Sequence, residues 1–372
     1  MAIGVSIYPH LLIGKEKELE QYLVKCANGG IQIIFTTMIN FKKDNLELIT
    51  LFKKMTNRAK KLGIMVYGDI NGEVYQEFGL DKNNREQLMR FFKDELGLTG
   101  LRFDDGIDGV GIAKLSNNPD QFKIILNAAS PSLELEYLIS LGANKDNLLS
   151  CWNFYPQRYT GAGVDYFLDN LDYIKNNGVK VQAFVALQRD DAQGPWIHND
   201  KLPTLELHRD ESLNFQIRHL NALGVDDIIV STQFLNDEEF KELKNLNLTK
   251  VYFNLLPNQN LTLAELEILN DHTVHFVRPD LAEFVIRSTF SRLKYQGVNI
   301  IAQNEQPQYF EPGDVLILND KAQNYTGELQ IVLKQIKNDG IRNLVGKLSP
   351  VEGYLIETLE PNQEFAFNLL DN

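Results

Sequence analysis

Ile33-Ile34-Phe35-Thr36-Thr37, Met65-Val66-Tyr67-Gly68-Asp69 and Leu101-Arg102-Phe103-Asp104-Asp105 are the stretches whose reading decides the fold. Each is a short β-branched or aromatic run that ends in polar or charged residues. Gly4-Val5-Ser6-Ile7-Tyr8 precedes them. Ile124-Ile125-Leu126-Asn127, Ser150-Cys151-Trp152-Asn153-Phe154-Tyr155, Val181-Gln182-Ala183-Phe184-Val185 and Ile228-Ile229-Val230-Ser231-Thr232 follow. Eight such runs within about 245 residues, separated by helical spacing of apolar residues, are what a (β/α)8 TIM barrel requires. That fold builds its active site at the carboxyl ends of its strands, so the residues closing these runs are the first candidates for chemistry.

The segments between the strands support this reading. Residues 15–27 repeat apolar side chains at Leu19, Tyr22, Leu23 and Cys26 and stop at Asn28-Gly29-Gly30. Residues 46–62, 84–96, 133–141, 165–177 and 211–223 behave alike and are followed by Gly63, Gly97, Gly142, Gly178 and Gly224. Glycine after the last helical turn is a stop signal with a physical basis, since it accepts the left-handed conformation that satisfies the last carbonyls. Helix, glycine, strand in repetition predicts a parallel α/β sheet. The open dinucleotide-binding version lacks its Gly-x-Gly-x-x-Gly after the first strand.

Beyond about residue 245 the alternation gives way to strands separated by turns. Val251-Tyr252-Phe253-Asn254, His275-Phe276-Val277, Val298-Asn299-Ile300-Ile301, Val315-Leu316-Ile317-Leu318 and the run 327–332 predict a small β-rich barrel, continued by 341–348 and 353–358. The expected division is a catalytic barrel over 1–247 and a β-rich domain over 248–372. A length of 372 residues suits two domains. The net charge of −13 argues against nucleic-acid binding, for want of a basic face to neutralise phosphates. No stretch approaches 18 apolar residues, and Met1-Ala2-Ile3-Gly4-Val5 lacks the pattern of a secretory leader. With Cys26 and Cys151 read as buried thiols, the expectation is a cytoplasmic protein without membrane contact.

Three regions carry candidate chemistry. Asp69 closes the third strand, and Asp104 with Asp105 closes the fourth, where neighbouring carboxyls can divide the roles of proton donor and base. The loop 187–209 is long and holds Gly194-Pro195-Trp196 and His198, then Glu206, His208 and Arg209. Long ordered loops on a barrel usually carry function, although Glu206 and Arg209 also suit a salt-bridged helix start. Asn153, Tyr155 and Arg158 follow the sixth strand and combine aromatic rings with polar groups, as a sugar-binding surface does. Ser6, Tyr8, Thr36 and Asn127 are further candidates for lining the pocket. The six histidines form no metal-binding pair, and neither a nucleophilic serine elbow nor a phosphate loop is present. Carboxylate acid/base chemistry without metal or cofactor remains.

Several separated motifs resemble those of bacterial 6-phospho-N-acetylmuramidases. They are Ser6-Ile7-Tyr8-Pro9, Leu101-Arg102-Phe103-Asp104, Asn153-Phe154-Tyr155-Pro156 with Thr160-Gly161, and Leu202-Pro203-Thr204-Leu205-Glu206 with His208-Arg209. Arg278-Pro279-Asp280-Leu281, Ile286-Arg287-Ser288, Gly313-Asp314 and Tyr325 with Gly327-Glu328-Leu329-Gln330 extend the resemblance into the second domain. It implies a TIM barrel followed by a cyclophilin-like β-barrel. It also implies hydrolysis of a phosphorylated amino-sugar disaccharide, N-acetylmuramic acid 6-phosphate–N-acetylglucosamine, in cytoplasmic recycling of cell-wall sugars. A glycosidase needs two carboxyl groups, here drawn from Asp69, Asp104 and Glu206. The phosphate needs a cation, for which Arg158, Arg209, Arg278 and Arg287 are candidates. The second carboxylate could be nucleophile, base or partner of the substrate's N-acetyl group. Two other readings stand beside this one: a TIM-barrel isomerase or lyase acting on a sugar phosphate, and a non-catalytic binding or prolyl-isomerase-like module.

Overall fold

The computed structural model describes residues 1–39, 41–104, 106–129, 135–196 and 199–370. Asp105, His198 and the first residues of the helix expected over 133–141 lie outside them. The chain divides into two compact units, one of Met1–Leu220 with Gly224–Leu246, the other of Asn221–Leu223 with Asn247–Asn372.

In the first unit, β1 (Ala2–Ser6), β2 (Ile33–Thr37), β3 (Met65–Ile70), β4 (Gly100–Phe103), β5 (Lys123–Asn127), β6 (Leu148–Cys151), β7 (Lys180–Val185) and β8 (Asp227–Val230) form a closed barrel. All neighbours are parallel, and β1 closes the ring on β8 with Ile3 opposite Ile228. The interior holds Ile33, Phe35, Tyr67, Ile125, Leu149, Cys151, Phe184 and Ile229. Because side chains alternate along a strand, Tyr67 inside puts Asp69 inside as well. Asp69 lies opposite Arg102 in the ladder between β3 and β4, so this pair caps the apolar interior at the carboxyl ends of the strands.

Gly100 marks a tight place in the barrel wall. A Cβ there would sit 2.9 Å from both the Lys123 carbonyl oxygen and the Tyr67 ring, so the large inward Tyr67 needs a neighbour without a side chain.

The helices follow the expected spacing, with Glu16–Asn28, Leu46–Lys61 and Val164–Asn176 within a residue or two of their predicted bounds. The stretch expected as one helix over 84–96 runs as Arg85–Met89 and then widens to a π-helix over Arg90–Glu95. Among the described residues no helix is long and apolar enough to cross a membrane.

In the second unit, β9 (Val251–Pro257), β10 (Val285–Ser288), β12 (Asp314–Leu318), β13 (Leu329–Val332), β15 (Arg342–Leu348) and β16 (Phe365–Leu369) form one sheet in the order β10-β13-β12-β15-β9-β16. Two short strands, β11 (Tyr309–Phe310) and β14 (Ile336–Lys337), pair separately. The segment 275–278 stitches the sheet's ends together. Phe365 donates to the His275 carbonyl at 3.1 Å and Val277 to Gln363 at 3.0 Å, while Arg278 donates to the Arg287 carbonyl of β10 at 3.1 Å.

Three expected strands are corrected, and the first, 275–277, is the irregular segment just described. Residues 298–301 are irregular, with Ile300 alone fully buried, so their apolar content packs without joining the ladder. Residues 353–358 begin with a helical turn, Gly353–Ile356, that buries Leu355. Replacing Gly100 with alanine should lower stability by about 1–3 kcal/mol, the usual cost of overpacking a tight wall, as read from urea unfolding at unchanged slope.

Candidate active site

Arg102 is the centre of the barrel mouth. It is 4% exposed, and its Nη1 donates to Asp69 Oδ1 at 2.8 Å and reaches Asp104 Oδ1 at 3.5 Å. Its Nη2 donates to Asn153 Oδ1. Asp104 also faces Asn127 Nδ2 at 3.5 Å, and its side chain is 48% exposed. Two carboxyl groups thus share one guanidinium, one of them buried and one open to solvent. Burial raises the pKa of Asp69 above the ordinary carboxyl value. Arg102 opposes that shift, but it must serve Asp104 as well.

Asp69, Ile39, Phe154 and Trp196 line two adjoining cavities. One, of about 180 Å³, adds Arg102, Asp104, Asn153 and Tyr155. The other, of about 320 Å³, adds His10, Thr37, Phe41 and Asn45. Two lobes of this size suit a small-molecule site, and they meet at Asp69. Among the described residues no three His, Cys, Asp or Glu side chains gather as metal ligands.

The other predicted residues fall elsewhere. Tyr8, expected to touch substrate, is fully buried and donates its hydroxyl to the Ser231 carbonyl at 2.6 Å. It is packed core: β1 ends at Ser6, two residues short of the expected run, and Tyr8 lies beyond it with its amide donating to Gln233 Oε1 at 2.7 Å. Arg278 pairs with Asp280 at 2.8 Å in the second unit. Tyr325, half exposed in the same unit, lies under the Arg292 guanidinium at 4.7 Å.

Glu206, placed by its sequence among the catalytic carboxyls, is a latch. Its Oε1 accepts from Arg209 Nε and from the Tyr159 amide, both at 2.7 Å. Its Oε2 accepts from Arg209 Nη2 at 2.6 Å and from the Gly161 amide at 2.7 Å. Those bonds, led by the one from Arg209, hold its carboxyl down at about 2. A carboxyl so occupied and so acidic has no proton to give near neutrality, so it does not suit the proton-donor half of the expected pair. Gly161 permits the approach, since a Cβ there would lie 2.6 Å from Glu206 Oε2.

Arg209 and Arg158, candidate phosphate binders, are both engaged by protein acceptors. Arg209 is 1% exposed and also donates to the Tyr155 and Gln157 carbonyls at 3.0 Å. Arg158 is held by Asp200 at 2.6 Å and by Asp210 at 2.6 Å. His208, expected at the substrate, is buried with its Nε2 2.9 Å from His219 Nδ1. Burial drives both rings toward the neutral form, His219 down to about 4. Together these residues shape the site from behind. The loop returns to the barrel through Thr204, which accepts from the Phe184 amide at 2.9 Å and donates to the Asn153 carbonyl at 2.9 Å.

Arg102 is a site residue that the strand-end pattern alone does not single out. Its signal was the two-residue alternation, which places it on the same strand face as Asp104.

Two family models match the chain. The one described as 6-phospho-N-acetylmuramidase, N-terminal, covers residues 3–245, and the corresponding C-terminal one covers 251–368. The chain belongs to the 6-phospho-N-acetylmuramidase family. Among solved structures, an uncharacterised B. cereus protein is 32% identical over 99% of both chains, with a TM-score of 0.86. A conserved Enterococcus faecalis protein of unknown function is 25% identical over 99% of this chain and 96% of its own, with a TM-score of 0.69. No curated protein matches the chain.

The latch makes a prediction about stability. Glu206→Gln should cost about 3 kcal/mol, since the buried Arg209 loses its counter-charge. The folded pKa of Glu206, about 2, lies below its ordinary 4.5, so its contribution is complete above 4.5 and disappears as pH falls toward 2. His219 acts at higher pH: between 6.5 and about 4 the unfolded chain takes up a proton that the folded one refuses, and stability falls with pH across that window. Melting temperatures from pH 8 to pH 3 should therefore fall in wild type, and Glu206→Gln should lose only the lower part of the decline.

Proposed function

We propose that this chain hydrolyses the glycosidic bond of N-acetylmuramic acid 6-phosphate–N-acetylglucosamine, in cytoplasmic recycling of cell-wall sugars. The observation that carries the reading is the pair Asp69 and Asp104 sharing Arg102 where the two cavities meet, in a chain whose two halves both match this family. A glycosidic bond breaks when a proton reaches the leaving oxygen while charge builds at the anomeric carbon. Asp69 has the environment of the donor: burial favours its protonated form and outweighs the opposing pull of Arg102 on one oxygen. Asp104 has the environment of the second group. It is open to solvent and to substrate, and is oriented by Arg102 and Asn127. From there it can act on a water or on the anomeric centre.

Arg102 is the positioning residue. It holds the two carboxyls at fixed places and tethers Asn153 beside them, so that substrate meets a preset arrangement rather than one it must organise. Asn153 and Tyr155 line the same lobe and supply amide and phenol groups for sugar hydroxyls.

Asp69→Asn and Asp104→Asn should each lower turnover by about 10² to 10⁴ with the fold intact, the usual effect of removing a general acid or base. In wild type the rate should fall as pH rises through the elevated pKa of Asp69, and Asp69→Asn should lose that alkaline limb. Mass spectrometry of incubations with the phosphorylated and unphosphorylated disaccharides checks the substrate. Preferred cleavage of the phosphorylated sugar is expected; equal rates would remove phosphate recognition, and two intact sugars would remove the reading.

A further inference from the structure

Trp196 is placed unlike an ordinary large aromatic. It lines both cavities, beside Asp69 in each, and remains 46% exposed. Its supports reach into the barrel core. Its ring lies 5.6 Å from Phe154, which meets Phe184 edge-on at 5.0 Å and Phe35 at 6.2 Å inside the barrel. The chain before it is pinned by reciprocal bonds between the Gln193 and Gln233 backbones, at 2.9 and 2.8 Å. The Pro195 carbonyl bonds the His10 ring. A side chain serving only to cover Phe154 would itself be buried; this one keeps an open indole surface on a fixed support.

We propose that Trp196 is the stacking platform of a carbohydrate site, on which an acetamido-sugar ring beside the scissile bond lies flat. The inference rests on the glycosidase reading above and specifies how the two lobes are used. The C–H face of a pyranose is apolar and weakly positive, which complements the π surface of indole, the largest such surface a protein offers. The ring's hydroxyl and amide edges then meet polar groups, His10, Thr37 and Asn45 in one lobe and Asn153 and Tyr155 in the other. With Asp69 at the junction, each lobe takes one sugar, and the bond between the two sugars passes the carboxyl pair.

The chain has two tryptophans, and Trp152, fully buried, also lines the smaller lobe, so the part of a ligand-dependent emission change that Trp196→Leu removes reports on Trp196. The full chain is titrated with N-acetylmuramic acid 6-phosphate and, separately, with N-acetylglucosamine, and calorimetry provides independent affinities. A saturable emission change with the calorimetric midpoint is expected. Trp196→Leu should abolish it, weaken binding and raise KM about ten-fold, and leave kcat and the melting temperature nearly unchanged. Trp196→Phe should recover most of the affinity.

Binding with unmoved emission, or wild-type affinity and KM in Trp196→Leu, overturns the platform. A fall in melting temperature matching the loss of affinity overturns it too, because that is the mark of a packing role. Wild-type rates of cleavage of the phosphorylated disaccharide by Trp196→Leu at substrate well below KM would sink the platform alone. Sugar-dependent emission in a protein that cleaves neither disaccharide would sink the function reading alone, and no sugar binding at all would sink both.

Discussion

A guanidinium withdrawn from water must be surrounded by acceptors, and the mouth of the barrel is organised by that need. Arg102 stands where the apolar interior of Phe35, Tyr67 and Phe184 gives way to solvent. Left without anions, a cation there would cost several kcal/mol. It therefore draws Asp69 from the neighbouring strand, Asp104 from the end of its own, and Asn153 from beyond the sixth strand. The stoichiometry is uneven, with two carboxyls to one cation, and the imbalance itself favours one neutral acid. Stability and chemistry at this place are consequences of a single requirement.

The barrel was readable in the sequence because its determinants are local. Strand runs with period two, helical spacing and glycine stops are each written within ten or fifteen residues, and Ile33–Thr37 came out to the residue. The second unit was less transparent. The run 298–301 has strand composition but no ladder, and 353–358 contains a helical turn. Short apolar stretches specify burial before they specify conformation, so the partner that buries them decides the outcome.

The candidate site was legible in part for a similar reason. Asp69 and Asp104 could be placed from strand ends alone, since the fold fixes where a strand end points. Glu206, His208, Arg209 and Arg158 could not, because a loop rich in opposite charges reads the same whether those charges face a ligand or each other. They face each other: Arg209 with Glu206, Arg158 with Asp200 and Asp210, and His208 with His219. Pairing of this kind depends on which residues of 153–161 and 199–210 meet in space, and that information belongs to no single segment.

The stitching of the second unit by residues 275–278 has a consequence for its behaviour in a crowded solution. An open sheet exposes unpaired amides and carbonyls along its outermost strands, a template on which foreign strands can add and aggregates can grow. Here the outer flanks of β16 and β10 are both engaged by one short irregular segment. A single protease cut or local melting at that segment would uncover two adhesive flanks at once. Four residues that belong to no regular strand thus cover the start of one edge strand, at Phe365, and a point of the other, at Arg287.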